Sequence, residues 1–307
     1  MMAIKQQLDI RLNRVQKLAT TSVLGRLMAN PIKYISALAF KKLIYPLNKE
    51  SKPVTVPTFF GEQMNVLLPA STDIYLTGGK SHDSEIRLAR YLIHTLQSGD
   101  LFFDIGAHYG YFSMLAAHLV GPNGKIVALE AAPRTYKVLA QNARAKSNIF
   151  PHHSAVAEKE QTIAFYEFEN MYSEYNTFDI QQFEGQAWLQ QEPYQKLMVP
   201  CLTVDQLADR YQQVPKLIKI DVEGAEYQVL LGAKQLLATR RATIVMEYLP
   251  PKRGNQVHQQ AAQLLQEFGY QPFTIDQHGK ALPCPHIEQY FEHQSSESDN
   301  IVFQKHS

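Results

Sequence analysis

The chain has 307 residues, of which 45% are hydrophobic and 19% charged, and its formal net charge is +1. These values are typical of a globular protein with an ample core, and they predict one large domain or one domain with an extension. A net charge near zero argues against bulk nucleic-acid binding, and no apolar run reaches the length of about 18 residues that a transmembrane helix needs.

Two cysteines, Cys201 and Cys284, make no disulfide framework and show no metal-ligand spacing. We expect both to be reduced and partly buried, as in a reducing cytoplasm. The N-terminus lacks a compact apolar segment followed by a small-residue cleavage site, so secretion is not expected. A cytoplasmic location is predicted, and peripheral contact with the inner face of the membrane is an open alternative.

The first 50 residues form a basic segment. They carry nine basic side chains against two acidic ones, about +7, which leaves about −6 on the rest of the chain. Apolar residues recur there at helical spacing in two stripes interrupted by Asn30-Pro31. The first stripe is Leu8, Leu12, Val15 and Ala19, and the second is Ile32, Ile35, Ala39 and Leu43. Such helices can lie on an anionic membrane, dock on the protein's own body or pair in a homodimer, so all three remain open for residues 1–46.

Residues 51–82 are predicted to form a strand-and-turn lead-in. Short alternating segments lie at 54–56, 65–68 and 73–76, separated by proline and glycine. A helix capped by Asp83 or Ser84 follows and is predicted to run to about residue 97.

Strands and helices then alternate from residue 83 to 307. This predicts an α/β domain with a mainly parallel, seven-stranded, Rossmann-like sheet and helices on both faces. The five parallel strands are predicted at 101–105, 125–130, 148–156, 215–222 and 242–247. Helices are expected before Gly121 and at 133–146, 227–238 and 257–268. Segments 271–276 and 300–304 are expected to close the sheet as an antiparallel edge pair, and 162–168 to add a hairpin.

The first of these strands leads into a glycine turn in LFFDIGAHYGY. Gly106 and Gly110 give the spacing G-x-x-x-G, which is neither the dinucleotide fingerprint nor a P-loop. Close glycines let the backbone approach a ligand, and the helix that follows offers unpaired N–H groups. The second strand ends in Glu130, where a carboxylate can accept both ribose hydroxyls. Together with Asp104 these residues predict a nucleoside site without a pyrophosphate cradle, as S-adenosylmethionine requires.

A second dense stretch, LIKIDVEGAEY, ends the fourth strand. Alternation sends Lys219, Asp221 and Glu223 to one side, which would be costly in the interior unless they line a polar cavity. That cavity is expected beyond the carboxyl ends of the strands, beside the first glycine turn. Glu226 begins the next helix, and Glu247 ends the fifth strand.

Methyl transfer from a sulfonium needs a nucleophile that is held in line and relieved of its proton. A carboxylate or a histidine could take that proton, and Lys219 could steady the alkoxide. Alternatively, Asp221, Glu223 and Glu226 could hold a divalent cation that lowers the pKa of an alcohol. Glu223 and Glu226 also suit a helix N-terminus, so a purely capping role stays open. For His108, contact with cofactor or acceptor and a structural hydrogen bond are both open.

Residues 169–200 fit no βα unit and are interpreted as an insertion. Its aromatic residues are Tyr172, Tyr175, Phe178, Phe183 and Trp188, and they alternate with Ser173, Asn176 and Asp179. Such a segment suits a sugar or another amphipathic acceptor, either as a lid or as a binding loop. A locally packed surface loop is the alternative.

The motifs resemble those of FkbM-type S-adenosylmethionine-dependent methyltransferases. The resemblance rests on FDIGAHYGYFS (103–113), VALEAAP (127–133) and KIDVEGAEYQVLLGA (219–233), with support from LTVDQL (202–207) and IVMEY (244–248). It spans roughly residues 83–305. This chain departs from the family, which usually has asparagine where His108 stands.

The resemblance implies a class I methyltransferase fold, S-adenosylmethionine as donor and O-methylation of a sugar, glycan, glycolipid or related metabolite. It assigns the cofactor to Asp104, Gly106, Gly110 and Glu130, to which we add the neighbouring His108 and Ala131. It assigns the reacting centre to Lys219, Asp221, Glu223 and Glu226. A catalytically silent cofactor-binding scaffold and a nicotinamide-dependent oxidoreductase are the alternatives, although the latter should show the absent G-x-G-x-x-G.

Overall fold

A computed structural model of the protein describes residues 2–169, 172–173, 176–178, 180, 189, 193–292 and 297–305. The helices are α1 Met2–Thr20, α2 Val23–Ala29, α3 Pro31–Ala39, α4 Tyr45–Asn48, α5 Thr72–Thr77, α6 Asp83–Thr95, α7 Tyr111–Val120, α8 Pro133–Ala143, α9 Val204–Tyr211, α10 Glu226–Leu231, α11 Lys234–Thr239, α12 Gln256–Glu267 and α13 Ile287–Glu292. A π-helical segment, Phe40–Ile44, joins α3 to α4, and Pro251–Arg253 is a short 3₁₀ turn.

The strands are β1 Lys52–Pro57, β2 Gln63–Leu68, β3 Leu101–Ile105, β4 Lys125–Glu130, β5 Ile149–His153, β6 Ala155–Val156, β7 Gln161–Phe168, β8 Tyr194–Leu202, β9 Leu217–Ile220, β10 Thr243–Tyr248, β11 Tyr270–Ile275, β12 Ala281–Pro283 and β13 Asp299–Lys305.

A central sheet has the order β12-β11-β13-β10-β9-β3-β4-β5. The five strands from β10 to β5 are parallel, and β13 runs antiparallel between β10 and β11. The predicted mainly parallel α/β sheet is confirmed, with eight strands instead of seven. The additional strand, β12, pairs with β11 at the edge over only three residues. It is too short to show a period in the sequence.

Both faces of this sheet are covered. Every residue of β3 and of β9 is buried, including Asp104 and Lys219, as is typical of interior parallel strands. Strand alternation sends Phe102 into the apolar cluster on one face and Phe103 and Ile105 into the cluster on the other. The sheet edge formed by the carboxyl ends of the parallel strands is thereby held between two packed layers.

The predicted hairpin lies outside the central sheet. Strand β7 pairs antiparallel with β8 from Gln161↔Cys201 to Phe168↔Tyr194, and β6 joins β8 on its other side. Because β8 begins at Tyr194, the end of the segment predicted as an insertion belongs to this small sheet.

Two predicted elements are different in the structure. Segment 73–76, expected to be extended, lies in helix α5, which has Asp73 in its first turn and ends at Gly78 with φ of +78°. The helix expected over 227–238 is divided into α10 and α11 at Gly232. A Cβ at that glycine would lie 2.2 Å from the carbonyl oxygen of Ala157, so close backbone packing breaks the helix there.

Helix α1 packs on the protein's own body. Leu8, Leu12 and Val15 are buried in the main apolar cluster. Lys5 Nζ donates to the carbonyl oxygens of His94 and Leu96, which end helix α6. The first apolar stripe is therefore part of the core. Among the described residues, no helix combines the length and the apolar character needed to cross a bilayer.

Candidate active site

A cavity of about 530 Å³ lies at the carboxyl ends of β3, β4, β9 and β10. Its volume is in the range of ligand pockets. Six of the predicted site residues line it: Gly106, His108, Glu130, Ala131, Asp221 and Glu223. The other four lie outside its wall: Asp104, Gly110, Lys219 and Glu226. The topology thus brings the two sequence motifs to one cavity.

The turns after β3 and β9 touch each other through Gly106. This residue has φ of +75°, and a Cβ on it would lie 1.7 Å from the carbonyl oxygen of Asp221. Only glycine permits that approach. Gly110, with φ of +86°, caps helix α7, and a Cβ there would lie 2.7 Å from Leu139 Cδ1. Gly106 therefore serves close backbone packing at the cavity, and Gly110 leaves room for the Leu139 side chain.

Glu130 ends β4 and is held by two backbone amides. The N–H of His108 donates to Glu130 Oε2 at 2.9 Å, and the N–H of Ala132 donates to Oε1 at 2.9 Å. Burial nevertheless raises the pKa of Glu130 to about 7. Each carboxylate oxygen has a further lone pair, so the group can still accept the two hydroxyls of a ribose.

His108 has a structural hydrogen-bond partner and also lies on the cavity wall, so its contact with cofactor or acceptor stays a prediction. It lines the cavity, and its Nε2 lies 3.0 Å from Ser173 Oγ. Its ring stacks against Tyr109 with centroids 3.9 Å apart, and its backbone has φ of +50°. The imidazole therefore links the glycine turn to the segment predicted as an insertion.

Lys219 is a buried cation between two carboxylates. Its Nζ lies 2.9 Å from Asp221 Oδ2 and 3.6 Å from Asp104 Oδ1, and Ser113 Oγ donates to Asp104 at 2.5 Å. Burial alone would lower the pKa of Lys219, but the two carboxylates outweigh burial and raise it, so the ammonium stays charged. Asp104 and Lys219 thus form a buried support that fixes the orientation of Asp221.

Asp221 and Glu247 lie beside each other on the cavity wall, with carboxylate oxygens within 4.8 Å of one another. Burial would raise the pKa of Asp221, but the Lys219 ammonium outweighs it and lowers the pKa below its ordinary value. Burial, with the charge of Asp221, raises the pKa of Glu247 to about 8. The two pKa values are shifted in opposite directions, so Asp221 gives up its proton at lower pH than Glu247 does. The sequence placed Glu247 at a strand end but assigned it no role in the site.

Glu223 and Glu226 have different environments. Glu223 lines the cavity with φ of +50°, and its carbonyl oxygen accepts from Thr177 Oγ1 at 3.0 Å. Glu226 is fully buried and accepts from the N–H groups of Val222 and Gly224 at 3.3 and 3.4 Å. Glu226 therefore stabilises the turn that precedes α10.

Carboxylate oxygens of Asp221, Glu223 and Glu247 lie within 4.8 Å of one another. Within the described residues this is the set that could hold a divalent cation. Its third member is Glu247, whereas the sequence analysis proposed Glu226.

One wall of the cavity comes from residues that the sequence analysis treated as a structural lead-in. Lys80 and Glu85 form an ion pair there, and Asp73 Oδ2 accepts from the N–H of Ser81 at 3.2 Å. Lysines and carboxylates are common in loops, so nothing in the sequence distinguished these residues from solvent-exposed ones.

Part of the predicted aromatic insertion also reaches the cavity. Phe178 lines it, together with Phe165 of β7 and with Ser173 and Asn176. Tyr172 is described as well. The remaining predicted residues of this segment, Tyr175, Asp179, Phe183 and Trp188, lie outside the described part of the chain.

Comparison with known families identifies the chain. A family model described as the Methyltransferase FkbM domain matches residues 104–272, more than half of the 307 residues. The chain belongs to the FkbM methyltransferase family. It is an S-adenosylmethionine-dependent methyltransferase, as the sequence predicted, and the oxidoreductase and catalytically silent alternatives are set aside. The amide-held Glu130, the G-x-x-x-G turn and the cavity volume fit this donor.

Several solved structures are similar. An FkbM methyltransferase from Methylobacillus flagellatus KT is 12% identical, with coverage of 76% of this chain and 52% of that one and a TM-score of 0.43. Aeropyrum pernix fibrillarin with bound S-adenosyl-L-methionine is 14% identical over 71% and 74% of the two chains, with a TM-score of 0.39. A Thermotoga maritima S-adenosylmethionine-dependent O-methyltransferase is 12% identical over 85% and 81%, with a TM-score of 0.38. A search of curated protein sequences found no match.

Proposed function

We propose that this FkbM methyltransferase transfers a methyl group to a hydroxyl oxygen of a sugar, in a glycan, a glycolipid or a related metabolite. The observation that carries the proposal is the position of Asp221 beside Glu247 on the cavity wall, with their carboxylate oxygens within 4.8 Å of one another. The Lys219 ammonium lies 2.9 Å from Asp221 and lowers its pKa, which keeps this carboxylate ionised and able to accept a proton from a neutral acceptor.

The two carboxyl sites of the cavity are far enough apart to serve different molecules. Glu130 ends β4 and Glu247 ends β10, and these strands are separated by β3 and β9. Three strand spacings amount to about 14 Å. The Glu130 end therefore suits the nucleoside of the donor, and the end near Asp221 and Glu247 suits the acceptor.

S-adenosylmethionine supplies an electrophilic methyl carbon on a positively charged sulfur. Asp221 orients the acceptor and takes its hydroxyl proton as the oxygen–carbon bond forms and the carbon–sulfur bond breaks. The bonding electrons stay on sulfur, giving S-adenosylhomocysteine. Lys219 acts through Asp221 as a positioning residue, because its ammonium lies behind the cavity wall.

The lining of the cavity supports a sugar-like acceptor. At the acceptor end, Asn300 lies opposite Glu247 on the neighbouring strand and offers an amide that can bind the hydroxyls of a sugar. Phe165 and Phe178 pack with Ala131 and Ala132 at the Glu130 end, where they offer apolar surface to the donor.

A divalent cation held by Asp221, Glu223 and Glu247 is a second way to lower the pKa of the acceptor hydroxyl. Carboxylate oxygens are the ligands that Mg²⁺ and Ca²⁺ prefer. Turnover in the presence of a chelator distinguishes the two mechanisms. If turnover is unchanged by the chelator, proton transfer to Asp221 without a metal is favoured. If turnover is lost and then returns when Mg²⁺ is added, the cation mechanism is favoured.

A cytoplasmic location belongs to the same proposal. Cys201 and Cys284 are buried and unpaired, which suits a reducing compartment.

The test of the proposed function is methyl transfer from tritiated S-adenosylmethionine to glycan and lipid extracts of the host. We expect label in a carbohydrate fraction. Asp221→Asn should lower turnover by about 10²–10⁴-fold, because it removes the proton acceptor. Binding of S-adenosylhomocysteine, measured by calorimetry, should change little.

Label confined to non-carbohydrate acceptors would overturn the acceptor class. Normal turnover in Asp221→Asn would remove Asp221 from the mechanism while leaving the donor site intact.

A further inference from the structure

The N-terminal helices beyond α1 present apolar side chains to solvent. We define the outer face as Leu24, Met28, Ile32, Ile35, Leu43 and Leu47. All six are exposed, from 58% for Ile35 to 86% for Leu47. Several large exposed apolar side chains within one short segment of a folded protein mark an interaction surface more often than a single one does.

The opposite side of the same helices holds them to the body. Phe40 and Tyr45 are buried in a small cluster with Leu68, and Ala37 is buried beside them. Lys33 Nζ donates to the carbonyl oxygen of Tyr75 in helix α5. This anchoring fixes which side of α3 and the π-helical segment faces inward, so the exposure of the outer face is a consequence of the fold.

The charge around the outer face has one sign. No acidic residue occurs from residue 10 to 49, whereas residues 22–49 contain five basic ones. These are Arg26, Lys33, Lys41, Lys42 and Lys49. Lys41 and Lys42 are exposed next to Leu43. Apolar side chains bordered by lysines match the boundary between acyl chains and anionic headgroups.

We propose that the outer face docks the protein on the surface of an anionic lipid bilayer. A second copy of the chain fits less well. A two-fold interface would bring the same basic patch against itself, without an acidic residue in this segment to compensate it. The lipid surface supplies the negative charge that the segment lacks.

Docking would bring the cavity close to the membrane. Helix α5 contacts α3 through Tyr75, and Asp73 of the same helix lines the cavity. One short helix therefore separates the outer face from the cavity wall. The proposal goes beyond the proposed function and is independent of it, since lipid binding needs neither donor nor acceptor.

The test is sedimentation of the full chain with vesicles of phosphatidylcholine, with and without phosphatidylglycerol. Ile35→Ser with Leu43→Ser removes two apolar side chains, and Lys41→Gln with Lys42→Gln removes two charges. Met198→Ser with Lys159→Gln is the matched control, because both residues are exposed and lie outside the N-terminal segment. Point substitutions test the outer face alone, whereas a deletion of residues 1–46 would also remove the buried side of α1.

We expect the wild type and the control to bind the anionic vesicles, and added salt to weaken binding. The double lysine variant should bind about 25-fold more weakly at low salt, because each lysine near an anionic surface contributes about fivefold. Vesicle binding that is absent in the wild type, or equal in all variants, would overturn the proposal. So would a dimer in light scattering that the serine variant dissociates while no vesicle binding occurs.

Discussion

Glu130 and Glu247 mark the two ends of the cavity, and both carboxyl groups titrate near neutral pH. Their pKa values are about 7 and about 8, in each case chiefly because burial disfavours the charged form. Their surroundings differ, however. Two backbone amides donate to the carboxylate of Glu130, whereas the carboxyl group of Glu247 lies beside the charged carboxylate of Asp221. The surroundings of Glu130 suit binding of the donor's ribose, and those of Glu247 and Asp221 suit proton transfer from the acceptor.

Removing the Glu130 carboxyl should weaken the donor site. Glu130→Ala is expected to cost about 1–3 kcal/mol of S-adenosylhomocysteine binding, through loss of hydrogen bonds to a charged acceptor. Calorimetric titration measures this, with Glu62→Ala as a control for a carboxyl outside the cavity. Intact affinity in Glu130→Ala would refute the ribose assignment.

The same carboxyl should make donor binding depend on pH. Ribose hydroxyls donate to the ionised form, so the wild-type affinity should rise as pH increases toward about 7 and level off above it. Glu130→Gln cannot ionise, and its affinity should stay flat over that range. Parallel pH profiles in the two proteins would show that another group is responsible.

Glu247 should make the folded protein less stable as pH rises. Its pKa is about 8 in the folded protein against an ordinary value of 4.5, so the folded state binds the proton more tightly. The stability from this proton is fully present below pH 4.5 and is lost as pH rises to about 8. Glu247→Gln should therefore become more stable than the wild type by several degrees near pH 8, and no more stable below pH 4.5. Thermal unfolding across this range measures the difference, and a pH-independent offset would contradict it.

At the scale of elements, the site depends on the contact between the turn after β3 and the turn after β9. Gly106 brings the first against the backbone of Asp221, and Thr177 ties the second to the small sheet through Glu223. Neither contact joins neighbours in sequence. The glycine spacing predicted a close approach, but it did not predict that the partner would be the second motif.

Gly106→Ala is the direct test of this contact. Gly99 is a matched control, because its φ of +88° is equally left-handed and no atom lies within 4 Å of its added Cβ. Gly99→Ala should lose about 1–2 kcal/mol of unfolding free energy for the conformation alone. Gly106→Ala should lose at least about 3 kcal/mol, since a backbone clash is added. If urea denaturation gives the same loss of unfolding free energy for both variants, the turn after β3 can move away from Asp221 without an energetic cost.

For the whole molecule, α1 is part of the core of the catalytic domain. Leu12 is 0% exposed on the face that meets the body, whereas Ile10 is 52% exposed. Leu12→Ala should cost about 2–5 kcal/mol of unfolding free energy, and Ile10→Ala within about 0.5 kcal/mol. A single unfolding transition, shifted only in the Leu12 variant, is the expected result. Two separate transitions would show that α1 unfolds independently.

The order and type of most elements could be read from the sequence. Buried parallel strands such as β3 and β9 are mostly apolar, and α6 and α12 have clear helical periods. Short elements were harder, because α5 and β12 are too brief for a period to be visible. The division of α10 from α11 could not be predicted, since it depends on the contact of Gly232 with Ala157.

The sequence by itself determined the fold class, the donor and the two motifs that meet at the cavity, because motif spacing and strand ends are local properties. Only the tertiary structure decided which side chains face the cavity. Lys219 and Asp104 lie behind Asp221, Glu226 is held by backbone amides, and Glu247 lines the cavity. The tertiary structure also decided that one face of α1 is buried while Ile32 and Ile35 of α3 remain exposed. Periodicity gives a helix its apolar stripe, but what covers the stripe depends on contacts between residues far apart in the chain.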